Sequence, residues 1–106
     1  MRAKARSFIV QSNSWLARAE QYDNLGDAEK SRAKAQRDAA AQLLANNPDA
    51  AMKADAADLI KQAEQDEKDA AEYQRLENEA RKKAAELRAA AVALWAQANK
   101  LDPDGT

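Results

Sequence analysis

The chain has 106 residues, of which 28 are alanine, 17 are basic and 18 are acidic, giving a net charge of −1. Only 14 residues are Leu, Ile, Val or Phe, so the chain cannot fill a thick globular core. It has no cysteine, which excludes disulfides and thiol chemistry, and no histidine, which removes the usual general base and the commonest metal ligand. A length of 106 residues predicts a single domain, 1–106.

The first predicted helix, about 2–46, follows a seven-residue repeat whose positions are written a to g. Every a position is small, and these residues are Ala5, Ser12, Ala19, Gly26, Ala33 and Ala40. Most d positions are larger, and they are Met1, Phe8, Trp15, Tyr22, Glu29, Gln36 and Leu43. The repeat runs through Gly26 without a break, which favours one continuous helix. The alternative is a turn at Gly26 and a three-helix bundle.

A turn is predicted at 46–48, where the sequence reads Asn46-Asn47-Pro48. Proline disfavours the helical conformation in the residue before it, so the first helix should end here. The same three residues can start the next helix, with Asn47 as its N-cap and Pro48 in its first position.

The second predicted helix, about 48–101, contains no glycine or proline after Pro48. Its a positions are alanine in every repeat from Ala56 to Ala98 except at Glu77. A helix of about 50 residues with such a repeat is typical of a coiled coil. The proline at 103 should stop the helix, which leaves 102–106 as a frayed tail.

Folding the two helices back about the turn brings residue i near residue 95 or 96 minus i. Large side chains of one helix then meet small ones of the other, as where Phe8 meets Leu87 and Trp15 meets Ala80. The predicted fold is therefore all-α, a long antiparallel helical hairpin with an alanine-rich, coiled-coil-like seam.

A second apolar strip runs beside this seam, at the e positions of the repeat. Its members are Ile9, Leu16, Leu44, Ile60 and Trp95. A two-helix hairpin leaves such a strip in water, so the strip predicts binding to a partner helix or dimerisation into a four-helix bundle.

Four polar residues interrupt the seam, and they are Glu29, Gln36, Asp66 and Glu77. Glu29 and Asp66 fall in one layer, where two carboxylates could hold a hard cation. Bundle metal sites usually add histidine, which this chain lacks, so we interpret the layer as a hydrated feature that sets the register. Without a phosphate loop or a nucleophile motif, we predict no enzyme activity, cofactor or metal.

The partners that the composition disfavours are nucleic acids and membranes. Basic residues are mixed with acidic ones, and the isoelectric point is about 5.5. No apolar run is long enough to span a bilayer, and Phe8-Ile9-Val10 is too short for a signal-peptide core. By default we expect a soluble, cytoplasmic protein.

A chain of about 100 residues that forms a helical hairpin resembles the WXG100 class of type VII secretion substrates. Tyr73 and Glu77 match the spacing of the secretion signal of that class, Tyr-x-x-x-Asp/Glu. The class carries Trp-x-Gly at its turn, where this chain has Asn46-Asn47-Pro48. The resemblance implies a small secreted hairpin with a similar-sized partner.

Two functional hypotheses therefore stand beside each other. The first is a non-enzymatic structural or protein–protein interaction module that pairs with itself or with a partner helix. The second is the secreted hairpin. A further alternative, a ligand-binding helical bundle of natural or designed origin, would use the aromatic region of Trp15, Tyr22 and Tyr73.

Overall fold

A computed structural model of the chain describes residues 1–101. It contains two long helices, α1 (Arg2–Leu44) and α2 (Ala50–Leu101), and no strand within these residues. The predicted all-α helical hairpin is confirmed. Gly26 lies inside α1, so the chain does not turn there and the three-helix alternative is wrong. The predicted tail at 102–106 lies outside the described residues.

The connection between the helices depends on one asparagine and one aspartate. Asn47 adopts a left-handed backbone conformation with φ of 42°, which asparagine tolerates better than most residues. The backbone N–H of Met52 donates a hydrogen bond of 2.9 Å to Oδ1 of Asp49, and the Asp49 carbonyl accepts from Lys53. Asp49 is thus the N-cap of α2. The expectation that Asn47 caps the helix, with Pro48 in its first position, is wrong, because α2 begins at Ala50 and Asp49 supplies the capping oxygen.

The contacts divide the hairpin into two units, each made from a segment of α1 and a segment of α2. The loop half is Tyr22–Arg75, which includes the connection. The terminal half consists of Met1–Gln21 with the described residues from Leu76 onward. Each half is an antiparallel helix pair with its own seam.

In the loop half, small residues fill the a positions of both helices. Those buried are Gly26, Ala33 and Ala40 from α1 and Ala56, Ala63 and Ala70 from α2. The helices run antiparallel here, since Tyr22 stacks on Tyr73 and Gln36 bonds Gln62. Because alanine projects only a methyl group, a seam of alanines lets two helix backbones come close together.

The terminal half repeats the arrangement. Its buried a positions are Ala5, Ser12 and Ala19 from α1 and Ala84, Ala91 and Ala98 from α2, with Glu77 also buried. Ser12 is fully buried, and its hydroxyl donates a hydrogen bond of 3.0 Å to the Ala84 carbonyl oxygen. That bond gives the buried hydroxyl an acceptor on the opposite helix.

Gly26 lies where α1 and α2 come close together in the loop half. A Cβ atom placed on Gly26 would lie 3.5 Å from Cβ of Tyr73 and 3.7 Å from the carbonyl oxygen of Ala70. Both distances are ordinary van der Waals contacts, so the site has room for one methyl group and little more.

We expect Gly26→Ala to raise the melting temperature. Alanine is favoured over glycine inside a helix by about 1 kcal/mol, which corresponds to roughly 4–8 °C for a domain of this size. Thermal unfolding followed by circular dichroism measures the change. Gly26→Leu is the matched variant, and it should melt below Gly26→Ala because the larger side chain must displace Tyr73 or the α2 backbone. A Gly26→Ala variant that melts below the wild type would contradict this packing.

Candidate functional site

The polar part of the loop-half seam is a cluster of three carboxylates. One carboxylate oxygen from each of Glu29, Asp66 and Asp69 lies within 4.8 Å of the others. The side chains of Glu29 and Asp66 are 16% and 13% exposed. Glu29 comes from α1 and the two aspartates from α2, so the predicted layer of Glu29 with Asp66 is brought together and enlarged by Asp69.

Arg32 supplies positive charge to this cluster. Its Nη1 atom lies 3.4 Å from both carboxylate oxygens of Glu29 and 4.0 Å from Oδ1 of Asp66. Arg32 is one helical turn after Glu29 and stays half exposed, so its guanidinium reaches the cluster from the rim. The amide of Gln65 donates to Oδ1 of Asp69 at 3.0 Å.

Burial and the neighbouring aspartates together raise the pKa of Glu29. Burial raises the pKa of Glu29, Arg32 lowers it in part, and hydrogen bonding and repulsion from Asp66 raise it further. Asp69 adds to the repulsion. The net effect is a pKa above the ordinary value of 4.5, so this carboxyl group takes up a proton more readily in the folded chain.

The cluster can therefore share a proton or neutralise part of its charge through Arg32. Oδ2 of Asp66 is buried and has no hydrogen-bond partner among the described residues. A proton held between Glu29 and Asp66 would satisfy that oxygen and relieve the repulsion between the two groups. Three carboxylates could also supply oxygen ligands to a hard cation, although Arg32 competes with a cation for the same oxygens.

Gln36 forms a polar pair of its own in the loop half. Its side-chain nitrogen donates to Oε1 of Gln62 across the seam at 3.3 Å. Oε1 of Gln36 is buried without a partner among the described residues. The contact links α1 to α2 but does not bring Gln36 to the carboxylate cluster.

Glu77, the fourth predicted seam residue, belongs to the terminal half. It is only 6% exposed and accepts hydrogen bonds of 3.1 and 2.9 Å from Arg81, one turn later on α2. The arginine offsets the charge of the carboxylate that replaces alanine in the seam.

The predicted e-position strip is divided between the halves. Ile9, Leu16 and Trp95 belong to the terminal half, and Leu44 and Ile60 belong to the loop half. Leu44 is 43% exposed, and the other four are of intermediate burial. The seam therefore leaves part of each side chain in contact with solvent.

The aromatic rings considered for ligand binding are engaged within the fold. Arg18 lies over the Trp15 ring at 4.6 Å, and Lys83 of α2 lies over the same ring at 5.9 Å. In the loop half, Tyr22 and Tyr73 stack with centroids 6.4 Å apart. These contacts use the ring faces that a bound ligand would need.

Asp69 was not predicted from the sequence as a member of the carboxylate cluster, nor was Arg32 predicted as its neighbour. Both residues lie at g positions of the repeat, outside the a and d positions from which the seam was predicted. Their g position could have indicated that they lie near the seam, because g positions flank the seam on the side opposite the e strip. A flanking acid three residues after a seam acid points its carboxylate toward the same layer.

No family model, curated protein or solved structure matches the chain. Neither described helix has a stretch long and apolar enough to cross a membrane.

We expect Glu29→Gln to stabilise the fold at pH 7 and to lose that advantage in acid. The raised pKa means that the folded state holds the Glu29 proton more tightly than the unfolded chain does. Stability through Glu29 is therefore present at low pH and lost as pH rises through the raised pKa. Melting curves from pH 7 down to 4 should show the variant above the wild type at pH 7, with the two converging in acid.

Glu67→Gln is the control, because its effect on stability at pH 7 should be opposite to that of Glu29→Gln. Arg37 lowers the pKa of Glu67 by hydrogen bonding, so its stabilising effect is present above 4.5 and lost as pH falls through the lowered pKa. This variant should melt below the wild type at pH 7. If Glu29→Gln also melts lower at pH 7, the bond to Arg32 outweighs the repulsion, and the interpretation of the cluster is wrong.

Proposed function

We propose that the chain is a non-enzymatic helical-hairpin module for protein–protein association, and that its first partner is a second copy of itself. The observation that carries this proposal is the apolar strip that the seam leaves partly exposed. Ile9, Leu16 and Trp95 supply it in the terminal half, and Leu44 and Ile60 supply it in the loop half.

The chemistry of the strip favours a protein partner. Large aliphatic side chains and a tryptophan are typical of interface centres, where their burial excludes water. The five strip residues recur at one position of the repeat, which is how a helix presents a face to another helix. A second hairpin offers a matching face of the same spacing.

An estimate of the association energy is consistent with moderate affinity. Fully burying one such side chain is worth about 1.5–3 kcal/mol, and roughly half of that remains available when it is already half buried. Ten strip residues in a dimer then contribute about 10 kcal/mol, against an association cost of roughly 4–15 kcal/mol. We therefore expect a micromolar dimer.

The buried acids support a structural role over a catalytic one. Arg81 bonds Glu77, and Arg32 lies at the rim of the loop-half cluster beside Glu29. Such pairs stabilise polar groups within a seam and help to fix its register. This structural role accounts for the buried carboxylates without a catalytic one.

The secreted-hairpin alternative ranks below this proposal. Its signal would use Tyr73 and Glu77, yet Tyr73 stacks on Tyr22 and Glu77 is buried against Arg81. A receptor would have to displace both contacts to bind the two side chains.

Ile9→Glu combined with Leu16→Glu should convert a dimer into a monomer without loss of helix. Two carboxylates in the strip would have to be desolvated when a second copy binds. Sedimentation equilibrium from low micromolar to millimolar concentration measures the association, and circular dichroism measures the helix content.

Val10→Glu combined with Leu25→Glu is the matched control. It adds the same charge at apolar residues that are 64% and 46% exposed but lie outside the strip. This control should associate like the wild type. A wild type that stays monomeric up to millimolar concentration, or a control that dissociates as fully as the strip variant, would refute the proposal.

A further inference from the structure

The charged residues that flank the apolar strip lie at its own e positions and at the neighbouring b positions, which together form the strip side. Within residues 1–21 and 76–101 of the terminal half, the strip side carries four basic residues and one acidic residue, Glu20. The basic residues are Arg2, Arg6, Arg81 and Arg88. In the loop half the strip side is neutral, with Lys30, Lys34, Arg37 and Lys53 against Asp23, Asp27, Glu64 and Glu67. The strip is therefore positively charged in the terminal half alone.

Two hydrogen bonds between the helices show that the e and b positions of α1 and α2 share one side of the terminal half. Arg2, at an e position of α1, donates to Oδ1 of Asn99, at a b position of α2, at 3.0 Å. Arg88, at an e position of α2, donates to Oδ1 of Asn13, at a b position of α1, at 3.3 Å. The four arginines and the strip residues of this half therefore form one continuous surface.

Large apolar side chains and guanidinium groups lie next to each other along this surface. Asn99 lies one helical turn after Trp95, and Asn13 lies one turn after Ile9. The arginines that bond these asparagines are thus placed beside the strip residues, and the same register places a further arginine beside Leu16. The resulting pairs are Trp95 with Arg2, Ile9 with Arg88, and Leu16 with Arg81.

All the basic residues of this strip side are arginines, whereas the lysines of the terminal half lie at c, f and g positions. A guanidinium can bind a carboxylate through two parallel hydrogen bonds, which an ammonium group cannot do. Arginine is also enriched, and lysine depleted, at protein interfaces. Arg81 bonds the buried Glu77, so counting Glu20 and Glu77 against the four arginines still leaves a charge of +2. The surface is suited to a partner that carries carboxylates.

We propose that the terminal half binds an amphipathic helix of a partner protein, in which Asp or Glu residues flank an apolar stripe. The apolar stripe packs on Ile9, Leu16 and Trp95, and the flanking acids bind the arginines. This inference rests on the proposed association function and adds the chemistry of a second partner. A second copy offers a strip side that is positive in one half and neutral in the other, so it lacks the excess of carboxylates that an acidic helix brings.

The dimensions of the surface fit one short helix. From Arg2 to Leu16, α1 rises by about 21 Å, or roughly four helical turns. Val92, at a b position of α2, is 58% exposed and adds apolar area on the same side. The three strip residues are of intermediate burial, which suits packing against a helix better than insertion into a bilayer.

Binding of two synthetic peptides to the full chain tests the charge preference. Both peptides have about three heptads with Leu at the a and d positions, and one carries Glu and the other Lys at the e and g positions. Fluorescence anisotropy of the labelled peptides at about 50 mM NaCl should show the Glu peptide binding roughly tenfold or more tightly than the Lys peptide. The difference should shrink at about 500 mM NaCl, since salt screens the attraction. Equal binding of the two peptides, or tighter binding of the Lys peptide, overturns the inference.

Arg6→Gln combined with Arg88→Gln tests whether the Glu peptide binds at the strip side. The matched control is Lys82→Gln combined with Lys100→Gln, which removes the same charge at f and c positions of the terminal half. The arginine variant should bind the Glu peptide roughly fivefold or more weakly than the wild type, and the control should bind it like the wild type. Equal losses in the two variants, with helix content unchanged by circular dichroism, would show attraction to charge anywhere on the chain and overturn the inference.

An anionic membrane is the competing occupant of a basic, partly apolar surface. Vesicles of phosphatidylcholine with about 30% phosphatidylserine should leave the chain in the supernatant after centrifugation. Binding to these vesicles without a preference for the Glu peptide overturns the inference. Sedimentation of the chain without peptide tests self-association separately. A chain that dimerises without preferring the Glu peptide overturns this inference alone, whereas a monomer that prefers the Glu peptide supports it and refutes the homodimer.

Discussion

Close approach of two helices through a seam of small residues is the constraint on which the rest of the hairpin depends. Alanine, glycine or serine occupies the buried a positions of α1 in both halves, and alanine occupies all but one of those in α2. A buried alanine contributes little apolar area, so no single layer stabilises the fold strongly. The seam stabilises the fold because it contains many layers and because alanine also favours helix formation.

The narrow seam explains why the larger side chains lie at its edges. Phe8, Trp15 and Tyr73 are only partly buried, and cations lie over the Phe8 and Trp15 rings in the terminal half. The e-position strip remains accessible for the same reason. A protein with a thick core would have buried these groups, whereas this hairpin leaves them partly exposed.

A few polar side chains interrupt the otherwise small and apolar seam. Ser12 and Glu77 replace alanine in the terminal half, and each has a hydrogen-bond partner that satisfies it. In the loop half, the acids around Glu29 lie against Arg32 and also repel one another, which links stability to pH. These groups favour one register, since sliding the helices would separate them from their partners.

Much of the architecture could be predicted from the sequence because the seven-residue repeat encodes it directly. From the repeat we predicted the a positions, the proximity of Glu29 to Asp66 and the continuity of α1 through Gly26. It could not identify the cap at Asp49, which depends on the left-handed φ of Asn47. Nor could it place Asp69 and Arg32 in the cluster, because side chains at flanking positions can point to the seam or to solvent.

The register of the hairpin can be measured most directly by engineered disulfides, since the natural chain has no cysteine. Ser12→Cys with Ala84→Cys tests the terminal half, where Ser12 bonds the Ala84 carbonyl, and Gly26→Cys with Ala70→Cys tests the loop half. Both pairs should oxidise within one chain, because a disulfide requires Cα atoms no more than about 7 Å apart. Ser12→Cys with Ala91→Cys, one repeat out of register, should stay reduced. Efficient oxidation of the shifted pair, with the in-register pairs remaining reduced, would contradict the small-residue seam.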